Sequence, residues 1–425
     1  MSIRSDGTPL PLGAMTRPDQ TDPAPPSDRS GDEAASSPIP PTRTRDMAPL
    51  ALVMGGGGAR AAYQVGFLRA LARVCPDLAI PIITGVSAGA INAVHLAAHP
   101  GSFQEAVEEL AKMWGSMSME QVFQLDPRRL ALNTLRWGAQ LVSGGMGGPP
   151  RIRGLVDTAP LREFLMRALN ARDGRIPGIE ENVRSGRLRA LAISTSSYST
   201  GQSVTWVAGP DAREWNRPQR TTRKGPIGID HVMASSALPL FFPAIPIGDE
   251  WYGDGGLRLS APLSPALHLG AHRVLAISTR FDRLQGELEP SVQGYPPPAH
   301  VIGSMMNSIF LDLLDQDAWR VEMINDILRN LSPENRGALR IIRLLTLRPS
   351  RDLGRLAGEF ESRLPRGFRF LLRGLGTRDT QSPDMLSFLL FEPGYLHLLM
   401  EMGERDAEAR MGEIEALVGG GGLSA

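Results

Sequence analysis

The chain has 425 residues and carries 45 basic and 45 acidic side chains, so its formal net charge is zero. A balanced chain has no bulk attraction for a polyanion, and nucleic acid is not an expected partner. Apolar side chains make up 42% and charged ones 21%, a globular composition long enough for one large core or two modest ones.

Residues 1 to 48 hold nine prolines and almost no apolar periodicity, which predicts a disordered leader. No signal-peptide h-region is visible there, and no uninterrupted apolar run reaches the ~18 residues of a membrane span. The lone cysteine, Cys75, excludes an intrachain disulfide. The expected location is therefore cytoplasmic, or peripheral at a membrane. The oligomeric state is not legible.

Pro49 to Met54 reads as a buried strand. It runs into Gly55-Gly56-Gly57-Gly58-Ala59-Arg60 and then a helix from about Ala61 to Val74, where Val65, Leu68, Leu71 and Ala72 recur at helical spacing. A second β-branched run, Ile80 to Thr84, leads into Gly85-Val86-Ser87-Ala88-Gly89 and an apolar helix from Ala90 to Ala98. A helix-rich stretch from Phe103 to about Val142 ends in a glycine-rich loop, Gly144 to Pro150.

Leu188 to Ser194 and Ser203 to Val207 read as strands, and Gly209 to Gly228 as a polar loop with Arg213, Arg217, Arg220, Arg223 and Lys224. A short helix at Val232 to Ala237 precedes the apolar run Leu238 to Ile247, and Arg273 to Thr279 is a further strand. Amphipathic helix covers His300 to Leu331, residues 339 to 347 form a candidate late strand, and a helical tail runs from about Pro383 to Val418. Strands alternating with helices predict a three-layer α/β/α sandwich with a mostly parallel sheet. The expected organisation is a leader at 1–48, a catalytic domain at 49–280 and a mainly helical extension at 281–425.

Three motifs carry the chemistry. A serine between two glycines where a strand becomes a helix is a nucleophile elbow: the turn lifts the hydroxyl above the sheet and aims backbone N–H groups, Ala88 among them, at developing negative charge. The turn Gly55 to Gly58 lies at an equivalent junction, where side chains would obstruct a carbonyl oxygen approaching the N–H groups of Gly56, Gly57 and Gly58. Arg60 stands where it can hold that turn in shape. The base must be found elsewhere. None of the seven histidines has a clear catalytic context, whereas Asp254 sits in the turn Gly253-Asp254-Gly255-Gly256 after a short strand. A carboxylate there can accept the Ser87 proton directly if it stays ionised before attack.

In this order the motifs resemble the patatin-like phospholipase family, of the bacterial kind, over roughly residues 49 to 280. Ala234 to Pro243 is similar to the family segment that precedes the aspartate. The resemblance implies a Ser87–Asp254 dyad that hydrolyses lipid acyl esters through an acyl-enzyme, without metal or cofactor, with peripheral membrane contact as a further expectation. The chain departs from the family pattern at Ala61, where Gly is usual, and at Ser260, where Asn is common.

Other readings compete. Gly56-x-Gly58-x-x-Ala61 fits a dinucleotide fingerprint, but the acidic residue about 20 residues on, Asp77, precedes its strand rather than ending it. A triad completed by His268, His272 or His300 competes with the dyad. A non-catalytic lipid-binding protein on the same fold is the alternative function. The eleven arginines between Arg336 and Arg378 are expected to pair with the acid-rich tail after Met400.

Overall fold

In a computed structural model, residues 48–124, 135, 154–210, 214–281, 295–365, 368, 369 and 384–419 are described. The leader up to residue 47, the Gly144 to Pro150 loop and Arg213 lie outside them.

Nine strands form one sheet among the described residues. In chain order the elements that position the site are β1 (Leu50–Met54), α1 (Ala62–Val74), β2 (Ile82–Val86), α2 (Ala88–Ala98), α3 (Phe103–Gly115), β3 (Ala190–Ser197), β4 (Ser203–Ala208), β5 (Arg220–Lys224), β6 (Ile245–Ile247), β7 (Glu250–Asp254) and β8 (Arg273–Ile277). They continue with α4 (Pro298–Phe310), α5 (Asp312–Arg329), β9 (Arg343–Leu347), α6 (Asp384–Leu389) and α7 (Pro393–Ala409). The strand order is β5-β4-β3-β2-β1-β8-β9, with β7 on β3 and β6 on β7. Pairs β1–β2, β1–β8, β2–β3, β8–β9 and β4–β5 are parallel; β3–β4, β3–β7 and β6–β7 are antiparallel. The sheet is mixed and mostly parallel, as the alternation of strands and helices predicts.

Period-two alternation sorts β1 between two cores. Leu50, Leu52 and Met54 face the larger one with α1, α2, α3 and α7, while Ala51 and Val53 face the smaller one with Ala266, Leu314 and Ala318. Helices thus cover both faces, which is why the central strands read as continuous apolar runs. α3 begins at a capping box, with Ser102 and Glu105 each accepting from the other's backbone N–H.

The C-terminal residues are built into this body. β9 extends the sheet beside β8, and α7 lies along α1. Gly66 of α1 and Gly403 of α7 permit that approach, since a Cβ on either would strike the backbone of the other helix.

Two local expectations are corrected. The polar loop from Gly209 to Gly228 contains β5, an edge strand whose Arg-Thr-Thr-Arg-Lys sequence is only half buried and so lacks an apolar signature. Two of the tail acids turn to other partners: Glu404 pairs with Arg69 and Arg73 of α1 at 2.5 Å, and Glu413 with Arg410 at 2.8 Å. Arginines of the 336–378 run instead bond carbonyls, as Arg340 does with Leu267, or pair elsewhere, as Arg348 does with Asp315 at 2.9 Å.

Candidate active site

The elbow is built from strain and close approach. β2 ends at Val86, and Ser87 takes φ 56°, ψ −133° before α2 begins. Positive φ in a non-glycine residue is costly and persists only where surroundings over-determine it. Here they do. The Ser87 N–H donates to Ser235 Oγ at 3.0 Å, Ser235 donates in turn to the Ser194 carbonyl at 2.7 Å, and Ser236 Oγ donates to the Ser87 carbonyl at 3.0 Å. A Cβ on Gly85 would lie 2.5 Å from the Gly89 carbonyl oxygen, and one on Gly89 would lie 2.5 Å from that of Met54. Both glycines flanking the serine are therefore steric requirements.

Asp254 reaches Ser87 through a feature of the sheet. β2 runs parallel along β3 until Val86 stands opposite Ser194. β7 then continues along β3 in the opposite direction, from Tyr252 opposite Ser197 to Asp254 opposite Thr195. The two strands meet end to end, so the residue after β2 and the last residue of β7 are neighbours. Ser87 Oγ donates to Asp254 Oδ2 at 2.6 Å, and Asp254 Oδ1 accepts from the Gly256 N–H at 2.9 Å. Gly255 and Gly256 form the 3-10 turn that supplies this donor. Asp254 is fully buried, and desolvation pushes its pKa up to about 7 against the opposing pull of the Ser87 and Gly256 hydrogen bonds.

The glycine turn follows β1, beside β2. A Cβ built on Gly56 would sit 3.0 Å from Ser87 Cβ, so this backbone passes directly against the serine. Thr279 Oγ1 donates to the Gly56 carbonyl at 2.7 Å. In a trans peptide that turns the Gly57 N–H the opposite way. Gly58 opens a 3-10 turn through Ala61 that leads into α1. Arg60 is buried; its Nε donates to Ser387 Oγ at 2.6 Å, and Nη2 pairs with Asp384 Oδ1 at 2.7 Å. The structure thus brings Ser87, Asp254 and the glycine turn together. Beneath Ser87 lies a narrow apolar cavity that Ala88 helps to line, of about 30 Å³.

A family model described as patatin-like phospholipase matches residues 52–267. The chain belongs to the patatin-like phospholipase family. Membership implies a lipid acyl hydrolase with a lipid ester as substrate. No curated protein matches the sequence. Among solved structures the patatin-like chain is similar to VipD from Legionella pneumophila, at 14% identity over 81% of this chain and 67% of that one, with a TM-score of 0.33. It is also similar to human GIVD cytosolic phospholipase A2, at 12% identity over 88% of this chain and 60% of the enzyme, with a TM-score of 0.43. The chain therefore spans about three fifths of the human enzyme's length.

In this patatin-like chain no histidine lines the cavity at Ser87 among the described residues. His268 stacks on Trp215 with ring centroids 4.7 Å apart, and none of His268, His272 and His300 lines the cavity beneath Ser87. His95 is buried against the Ala106 carbonyl, and burial lowers its pKa to about 4. Ala61 is buried in the larger core and does not line the cavity, so its methyl group is accommodated away from Ser87. Ser260 is exposed and bonds to Arg220.

Sequence reasoning assigned no role to Ser235, Ser236, Thr279 or Asp384. Two adjacent serines just before an apolar, proline-broken run are a faint signal, because buried hydroxyls need partners. Nothing local marks Asp384, which lies 324 residues from Arg60.

Proposed function

We propose that the chain hydrolyses lipid acyl esters, in the manner of a phospholipase A, with Ser87 as nucleophile and Asp254 as its base. The observation that carries this reading is the 2.6 Å hydrogen bond from a strained serine hydroxyl to a buried carboxylate. As Ser87 Oγ attacks the ester carbonyl carbon, its proton passes to Asp254 Oδ2. N–H groups of Gly56, Gly57, Gly58 and Ala88 receive the oxyanion. The tetrahedral intermediate collapses by breaking the bond to the alcohol oxygen, which takes the proton from Asp254. Water then attacks the acyl-enzyme, giving one proton to Asp254, and the fatty acid leaves as Ser87 regains its proton. A pKa of about 7 suits both duties, since the group must accept and return a proton near neutrality.

Contact with the lipid surface is peripheral in this reading, because among the described residues no helix is long and apolar enough to cross a membrane. The test is hydrolysis of a short-chain nitrophenyl ester and labelling by a fluorophosphonate probe. Both are expected of the unmodified protein, and both should vanish in a folded Ser87→Ala variant. Retained turnover in that variant sinks the mechanism. A folded protein that never labels supports a lipid binder instead.

A further inference from the structure

The family match ends at residue 267, yet the cavity beneath Ser87 is not enclosed by family residues alone. Leu161, Leu238 and Phe242 line one part of it, and Phe388, Leu389 and Phe391 line another. At about 30 Å³ it has room for roughly one or two water molecules. A long acyl chain that enters this cavity from Ser87 meets these side chains.

The second wall is fastened to the catalytic apparatus rather than loosely apposed. Arg60, at the end of the glycine turn, holds Ser387 and Asp384, and its guanidinium lies 4.6 Å from the centroid of the Phe388 ring. The Phe388 backbone packs against Gly58 so closely that a Cβ there would strike its carbonyl. Its ring also meets Phe310, 6.2 Å away, and Phe310 abuts Gly256 in the turn that donates to Asp254. Phe391 stacks on Trp114 at 6.4 Å. All three wall residues are at most 7% exposed. The wall therefore has little freedom to retreat without disturbing Arg60 or the Asp254 turn.

We propose that Phe388 to Phe391 is the acyl-length gauge of this enzyme, a wall supplied from outside the family segment that sets how long an acyl group Ser87 accepts most readily. This rests on the reading of Ser87 as nucleophile. An apolar site distinguishes chain lengths by the methylenes it can bury, each worth about fourfold in kcat/KM.

The experiment measures kcat/KM on nitrophenyl acetate, butyrate, octanoate and palmitate. The unmodified protein should favour the short esters. Leu389→Ala and Phe391→Ala should each raise the octanoate-to-butyrate ratio by about tenfold, and Leu389→Trp should lower it. The milder Leu389→Val should move the ratio up by about two- to fourfold, which keeps the test open if the larger deletions do not fold. A ratio is insensitive to a general loss of activity. Turnover that depends on Ser87 but shows an unshifted ratio in all four variants overturns the gauge alone. No turnover by the unmodified protein on any ester brings down the hydrolase reading, and the gauge with it.

Discussion

Two strand-to-helix junctions lie side by side at the ends of β1 and β2, and they solve opposite problems. At the end of β2 a side chain must be presented, so Ser87 occupies a strained conformation and its glycine neighbours clear the space around it. At the end of β1 a backbone must be bared, so side chains are absent from Gly55 to Gly58. The junctions also differ in what holds them. Ser235, Ser236 and Asp254, all within residues 52–267, hold the serine elbow. Thr279, Ser387 and Asp384, all beyond that segment, hold the glycine turn and the Arg60 that follows it. The nucleophile is thus held from within the family segment, whereas the glycine turn, which Gln64 also fastens through the Gly55 carbonyl, takes further support from residues beyond it.

That contrast is open to direct attack. The largest expected effect is at the elbow, where Ser87→Ala should lower kcat/KM by about 10⁴-fold or more in ester hydrolysis. Asp254→Asn should cost roughly 10³- to 10⁴-fold, because the amide cannot accept the proton. At the other junction, Arg60→Ala leaves the partly buried Asp384 without its partner. Denaturant unfolding should show a loss of about 1–3 kcal/mol, with a fall in kcat of roughly tenfold to a hundredfold. If Arg60→Ala loses neither stability nor activity, the glycine turn does not depend on the C-terminal residues. Ser235→Ala removes the acceptor of the Ser87 N–H and should cost about 1–3 kcal/mol, with about a tenfold loss of activity.

The smallest effect is that of pH. Asp254 must be ionised to accept the proton, so kcat/KM should fall about tenfold per unit as pH drops below about 7. Stability moves the other way. The folded-state pKa lies above the ordinary aspartate value of 3.8, so the folded state prefers the neutral carboxyl. That contribution is fully present below pH 3.8 and is lost as pH rises through about 7. Unfolding measured between pH 5 and pH 8 should show the loss in the unmodified protein and a flatter profile in Asp254→Asn.

Much of this fold and of its site is legible in the order of the residues. The elbow, the glycine turn and the succession of strands and helices are local signals, because close backbone approach admits only glycine and buried parallel strands are continuously apolar. Less legible is β5, whose polar edge-strand sequence reads as a loop. The arginine-rich run and the acidic tail suggested each other by charge alone, yet Glu404 sits on α1 because helix packing brings α7 there.

By itself the sequence determined the chemistry of each junction: a serine where a tight turn presents a hydroxyl, glycines where a backbone must be bared, and a carboxylate in a glycine-flanked turn. Their meeting was decided by tertiary structure. Asp254 lies 167 residues from Ser87, and it arrives because β2 and β7 meet end to end along β3. Arg60 finds Asp384 across 324 residues because α6 docks against the glycine turn. Strand register and helix docking are set by burial summed over the whole core, and no local stretch of sequence carries that sum.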